Sequence, residues 1–271
     1  TEHLGEHLGA MLSQLNDRGP DSAGVAIYRD PAPAGSSKVS LFSPDPRYEW
    51  GRVRDGLAGT FGGDPEPEVR ASHAVFVVDT DADTVQTWLR ERHPELRVMS
   101  VGERIEIFKE AGLPSDFVAR FALEDIQGSH ALGHTRMATE SDVDIRSAHP
   151  YWAYPYNDIS VVHNGQITNY WIMRREMERL GHRFMSNCDS ELLAVYTANN
   201  LEQGATLEES LKASIKEIDG VFTYVVATEN ELGMAKDTMA AKPMVLYESD
   251  NLVALASEEV AIRTLIPHEI D

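Results

Sequence analysis

The sequence predicts an α+β layered domain, and three observations lead there. A helix, a tight turn and a strand open the chain. Strands then give way to helices and return to strands, without the regular alternation of a parallel βαβ sheet. Between the two halves lies a β-α-β-β run, about residues 73–125, read as a small inserted subdomain within one domain spanning 1–271. A chain of 271 residues, 42% hydrophobic, suits one large domain or one domain with an insertion.

The elements follow in order. Leu4, Leu8, Met11, Leu12 and Leu15 recur at helical spacing and predict an amphipathic helix from Leu4 to Asn16. The turn Arg18-Gly19-Pro20-Asp21 feeds the apolar strand Ala23–Tyr28. The punctuated stretches "DPAPAGSS" and "GTFGGDPEPE" mark connections, with "KVSLF" a short strand between them. His73–Val78 reads as a strand, Val85–Glu91 as a helix, and Leu96–Val101 and Ile105–Lys109 as two more strands. From Gly128 the pattern becomes apolar strands ending in polar triplets, "HALGHTRMATES" and "ISVVHNGQITNY". Helices are expected at Thr168–Leu180, Asp189–Asn199 and Leu207–Ile218. The strands "VFTYVVAT", "LGMAKD", "PMVLYE" and "LVALAS" close the chain.

Composition narrows the function. No run of about eighteen apolar residues is present to span a membrane. A single cysteine, Cys188, excludes an intrachain disulfide framework and fits a reducing cytoplasm. With 24 basic against 44 acidic residues the formal charge is −20, which repels phosphate backbones and argues against a nucleic-acid partner. That charge is read as solubility or a salty habitat. The ten histidines form no metal-ligand pattern, and no Walker-type loop or GxGxxG is present, so no cofactor is expected.

The polar triplets carry the chemistry. In "VVHNGQITN", Asn164 and Gly165 place a side-chain amide beside a glycine N–H, the donor pair an oxyanion hole needs. The competing reading is an Asn-Gly turn. In "GHTRMATES", Arg136 ends a strand with a guanidinium suited to a carboxylate, and Thr139 and Ser141 add hydroxyls; a surface salt bridge is the alternative. In "SNCDSELLA", Asp189 and Glu191 open a helix with Ser186 or Asn187 as N-cap, which dipole complementarity alone explains. The functional alternative gives Asp189 a substrate ammonium. Cys188 reads as a small buried thiol rather than a nucleophile, because no histidine stands beside it in sequence.

Taken together, "RGPDSAG", "GHTRMATES", "AHPY", "VVHNGQITNY", "CDSELLA", "DGVFTYVVAT" and "LASEE" resemble the class II glutamine amidotransferases, N-terminal nucleophile hydrolases with a four-layer αββα sandwich. The run from Gly112 to Ser141 is most similar to stand-alone amidotransferase subunits of glutamate-synthase-like systems, including N-methylglutamate synthase. The resemblance implies that Arg136 holds the glutamine α-carboxylate with help from Thr139. Asp189 takes the α-ammonium. Asn164 and Gly165 form the oxyanion hole, with Gly165 also holding substrate, and Arg18 braces the nucleophile's loop. It implies L-glutamine as substrate and a partner synthase, a flavin-containing chain among the candidates, as receiver of ammonia. The alternative is a non-catalytic subunit that binds glutamine or glutamate, or serves as structure in a complex.

Members of that family begin with a cysteine whose own α-amine, titrating near ~8, takes the thiol proton. Its strand precedes the first helix. The nucleophile is therefore expected upstream of Thr1, and the chain from Thr1 onward is expected to be inactive alone. Three departures from the family pattern are Cys188 in place of a threonine, Glu140 in place of a histidine, and Lys236-Asp237 in place of Arg-Asp.

Overall fold

The computed structural model describes residues 1–137, 145–156 and 158–266. Its elements run α1 (Leu4–Gln14), β1 (Ser22–Tyr28), β2 (Ser37–Phe42), α2 (Gly51–Phe61), β3 (Glu68–Arg70), β4 (His73–Val78), α3 (Ala82–Arg92), β5 (Arg97–Gly102) and β6 (Ile105–Ala111). They continue as α4 (Pro114–Arg120), β7 (His130–Arg136), β8 (Tyr151–Trp152), β9 (Ser160–Ile167), α5 (Tyr170–Arg179), α6 (Asp189–Glu202) and α7 (Leu207–Glu217). The last are β10 (Gly220–Ala227), β11 (Leu232–Lys236), β12 (Val245–Glu248), β13 (Val253–Ala256) and α8 (Glu259–Ile262).

Strand β1 shows why its sequence is apolar throughout: all seven residues are buried. Ala23, Val25 and Ile27 pack beneath α1 and α4 with Leu12, Phe117 and Phe121. Ala26 and Tyr28 point the other way, into a core shared with Val162, Val225 and Ala227 of a second sheet. The first sheet runs β6-β1-β7 and the second β11-β10-β9-β8, each antiparallel. Behind the second sheet, Met173, Leu193 and Leu207 of α5, α6 and α7 cover Val161, Phe222 and Tyr224. Helices, sheet, sheet, helices: the four layers are an αββα sandwich. The Tyr28 hydroxyl bolts the sheets together, 2.9 Å from Ser160 Oγ and 3.0 Å from the Ala227 carbonyl.

The β-α-β-β run of residues 73–125 is present as β4, α3, β5 and β6. Its strands do not close on one another. β4 and β5 flank β2, β3 extends β4, and β6 pairs with β1. Helices α2 and α3 cover this sheet through Val53, Leu57, Val85 and Leu89. One carboxylate ties the region to the second sheet. Asp158 accepts from the backbone nitrogens of Glu103, Arg104 and Ile105 at 2.7, 2.8 and 2.8 Å. Among the described residues, no helix is long and apolar enough to cross a membrane.

Candidate active site

The end of β7, the middle of β9, the start of α6 and the turn after α1 converge on one cavity of about 2030 Å³. Arg18, Arg136, Asn164, Gly165 and Asp189 all line it. Thr139 lies outside the described residues, as do Glu140 and Ser141.

Arg136 is the last residue of β7, opposite Ser22 of β1. Its carbonyl accepts from the Asp21 nitrogen at 3.0 Å. Gly19 passes so closely that a Cβ there would lie 2.5 Å from the Arg136 nitrogen. The Arg18-Gly19-Pro20-Asp21 turn is thus clasped to the strand end, and only glycine allows the approach. Arg18 itself reaches Glu258, just before α8, at 2.7 Å.

Asn164 and Gly165 lie within β9, across from Thr223 and Phe222 of β10, which excludes the turn reading. Gly165 has φ +142°, and a Cβ there would strike the Val221 carbonyl. The glycine is required twice, by conformation and by space.

At the start of α6 the dipole explanation gives way to specific partners. The N-cap is Cys188, not Ser186 or Asn187, and it makes no side-chain cap bond. Asp189 instead accepts from the Ile167 nitrogen at 2.9 Å, sewing the helix start to the end of β9. Glu191 turns back to the loop and accepts from the Ser186 nitrogen at 2.7 Å. Burial pushes its carboxyl above the usual carboxylate range. Arg174 steadies the same loop through the Ser186 carbonyl at 2.7 Å and the face of Phe184. The Cys188 thiol lies 3.7 Å from the Asp189 carboxylate, and burial pushes its pKa up. A thiol so placed stays protonated, unlike an activated nucleophile.

Sequence reasoning missed the histidines behind these groups. His134 on β7 and His149 stack with ring centroids 4.1 Å apart. His149 Nε2 and His163 Nδ1 lie 2.8 and 2.9 Å from the same atom, Ser190 Oγ. Burial pushes His134 and His163 down to about 4 and His149 well below its ordinary value, so all three are neutral near pH ~7. The available signal was alternation, which puts His134 on the strand face of Arg136. His163, next to Asn164, faces the other side of its strand and carried no such signal.

The same cavity extends along the sandwich. Among the described residues, β7 pairs with β1 and, at Arg136 alone, forms an isolated bridge with Pro20, while β13 pairs only with β12. Helix α1 lies over both. Leu8 and Leu12 sit above Gly133 of β7, and Met11 and Leu15 pack on the cluster holding Ala254 and Ala256 of β13. A slot lined by these two strands therefore runs beneath α1.

The glutamine amidotransferase domain family matches residues 134–264. Across 264 residues the chain is 40% identical to the glutamine amidotransferase-like protein GlxB of Rhizobium meliloti (strain 1021), spanning 97% of this chain and 86% of that protein. The chain belongs to the glutamine amidotransferase family. An amidophosphoribosyltransferase of Methanocaldococcus jannaschii is 27% identical over 167 residues, 61% of this chain and 36% of that protein. The structure of glutamine phosphoribosylpyrophosphate amidotransferase from B. subtilis superposes with a TM-score of 0.60 at 16% identity, covering 95% of this chain. This amidotransferase spans 40% of that longer chain, and the likeness shows the N-terminal nucleophile fold. The departure at Lys236-Asp237 keeps its acid in use here: Asp237 accepts from the Phe222 nitrogen at 2.9 Å.

Proposed function

We propose that the protein hydrolyses L-glutamine to glutamate and passes the ammonia to a partner synthase of glutamate-synthase-like type. The observation that carries this reading is the convergence of Arg136, Asn164-Gly165 and Asp189 on one cavity. A guanidinium and a carboxylate together suit the two charged ends of a free amino acid. Arg136, with Thr139, takes the α-carboxylate; Asp189 takes the α-ammonium. The side-chain carbonyl is then directed to the Asn164 amide and the Gly165 N–H. Holding both ends fixes the reacting amide, converting substrate binding into orientation.

The attacking group is a cysteine thiol. Its α-amine accepts the thiol proton, the sulfur adds to the amide carbon, and the oxyanion rests on Asn164 and Gly165. The tetrahedral species expels ammonia with that proton, leaving a thioester that water cleaves to glutamate. We place this cysteine on a strand that leads into Thr1 and fills the slot between β7 and β13. Two features support the placement. The Thr1 main-chain nitrogen bonds to the Gly128 carbonyl, two residues before β7 begins. A strand of about eight residues running antiparallel to β7 from there would bring its first residue beside Arg136. Arg18, joined to Glu258 across the slot's end, would brace it.

Extending the protein with a cysteine-led strand ahead of Thr1 and treating it with a glutamine-analogue electrophile tests the assignment. The label is expected on the added cysteine, with glutamine hydrolysis appearing alongside it. Labelling at Cys188, or hydrolysis by residues 1–271 alone, would refute it.

A further inference from the structure

The three histidines behind the site admit a proton count. Each neutral imidazole carries one N–H and one lone pair. His134 Nε2 lies 3.2 Å from the His163 carbonyl, which can only accept, so the His134 proton sits on Nε2. Among the described residues, Ser190 Oγ has His149 Nε2 at 2.8 Å, His163 Nδ1 at 2.9 Å and Asp189 Oδ1 at 3.4 Å, with the Cys188 thiol also beside it. A serine hydroxyl donates once. If it donates to either histidine, that ring must carry its proton on its other nitrogen. Those nitrogens, His149 Nδ1 and His163 Nε2, are buried with no partner among the described residues, and so is His134 Nδ1. A buried N–H without an acceptor is the costlier deficit, whereas an unused ring lone pair is tolerated. One arrangement avoids it. His149 Nε2–H and His163 Nδ1–H both donate to Ser190, and Ser190 donates to Asp189.

We propose that Ser190, His149 and His163 are positioning residues that aim and hold the ionised Asp189 carboxylate for an amino-acid ammonium. This rests on the reading of Asp189 as the ammonium site. Two N–H dipoles converge on the serine oxygen, and its hydroxyl turns toward Oδ1 while the Ile167 nitrogen holds Oδ2 at 2.9 Å. The carboxylate is gripped at both oxygens by donors from two different elements, so its plane is set before substrate arrives. Stacking on His134 keeps the His149 ring in place. His163 belongs to the same strand as Asn164 and Gly165, so one strand carries the oxyanion donors and, one residue earlier, the support for the ammonium site.

Two measurements test this. Nitrogen-15 NMR of the imidazoles in the intact protein near pH ~7 is expected to show His163 as the Nδ1–H tautomer and His134 and His149 as Nε2–H tautomers. His163 found as Nε2–H, or charged, overturns the proposal. Calorimetry then compares L-glutamate with glutarate, which lacks the α-ammonium. The native protein is expected to prefer glutamate. Ser190→Ala is expected to shrink that preference about tenfold while leaving glutarate affinity unchanged, and Ser190→Thr, which keeps the hydroxyl, to restore it. A native protein without the preference refutes the ammonium reading of Asp189 itself. A preserved preference in Ser190→Ala refutes only the positioning role. Should Ser190→Ala fail to fold, the tautomers decide.

Discussion

Acid should unfold this protein well before its carboxylates titrate, because buried histidines are held neutral. His134 and His163 are pushed down to about 4, and His73 to about 3, by burial foremost. In the unfolded chain each returns to an ordinary value near ~6.5. Between those values the unfolded state binds more protons than the folded one, so stability rises with pH and falls on acidification. From about pH 7 to about pH 5, each of these three sites costs roughly 2 kcal/mol. Together they reach about 6 kcal/mol, comparable with the entire stability of many domains. His149, shifted in the same direction, adds to the loss.

Two effects oppose it. Glu191 has a raised pKa, so its folded form binds a proton more readily and gains stability as pH falls. Acid also trims the net charge of −20 and relieves self-repulsion. A net loss of about 3–6 kcal/mol is expected, read as a lower urea midpoint at about pH 5 than at about pH 7. His73 tests the cause apart from the site. It sits among the Phe42, Phe108 and Phe121 rings, and its Nε2 has no partner among the described residues. His73→Phe should remove about 2 kcal/mol of the pH dependence, a third or more of the net loss. Equal midpoints at the two pH values would refute the reasoning.

Other outcomes follow from the same geometry. Arg136→Ala and Asp189→Ala should each weaken L-glutamate binding about tenfold or more, since a charge-assisted contact contributes roughly 1.5–3 kcal/mol; calorimetry reads this directly. Asn164→Ala, in a chain bearing the proposed cysteine-led strand, should lower kcat about 10²–10³-fold with little change in KM, measured as ammonia release. Asp158→Ala removes the acceptor for three backbone nitrogens and should cost about 3 kcal/mol in guanidinium unfolding, without altering glutamate affinity.

Most of the fold was legible because its periodicities are strong. The Leu4-Leu8-Met11-Leu12-Leu15 stripe became α1, and the unbroken run "SAGVAIY" became a strand buried on both faces. What periodicity does not carry is which strands pair. The β-α-β-β run was visible, yet nothing local told that β4 and β5 would flank β2 while β6 crossed to β1. Those pairings depend on which apolar faces can be covered together, a property of the assembled layers. The Asn-Gly pair shows the limit sharply. The same dipeptide serves as a hairpin turn when both residues take positive φ, and as a strand interior here because Phe222 and Thr223 lie opposite.

For the site, residue chemistry named groups that line the cavity and overlooked those packed behind them. Arg136 and Asp189 stand out because a guanidinium and a carboxylate at element ends have recognisable uses. Ser190 and His163 do not, since a serine in the first turn of a helix and a histidine in an apolar strand each have an ordinary local explanation. Their arrangement exists only in the assembled fold, where two rings from different segments share one hydroxyl, a third ring stacks on one of them, and the hydroxyl also reaches the acid. The same reasoning explains why Glu191 was misjudged. Its position in the first turn of α6 suits the helix dipole, but its carboxylate is almost fully buried and spends its oxygens on the Met185 and Ser186 nitrogens. A buried acid needs named donors, and the loop before α6 supplies them. That loop in turn fixes where Cys188 and Asp189 begin the helix, so the placement of the Asp189 carboxylate depends on an acid two residues further along.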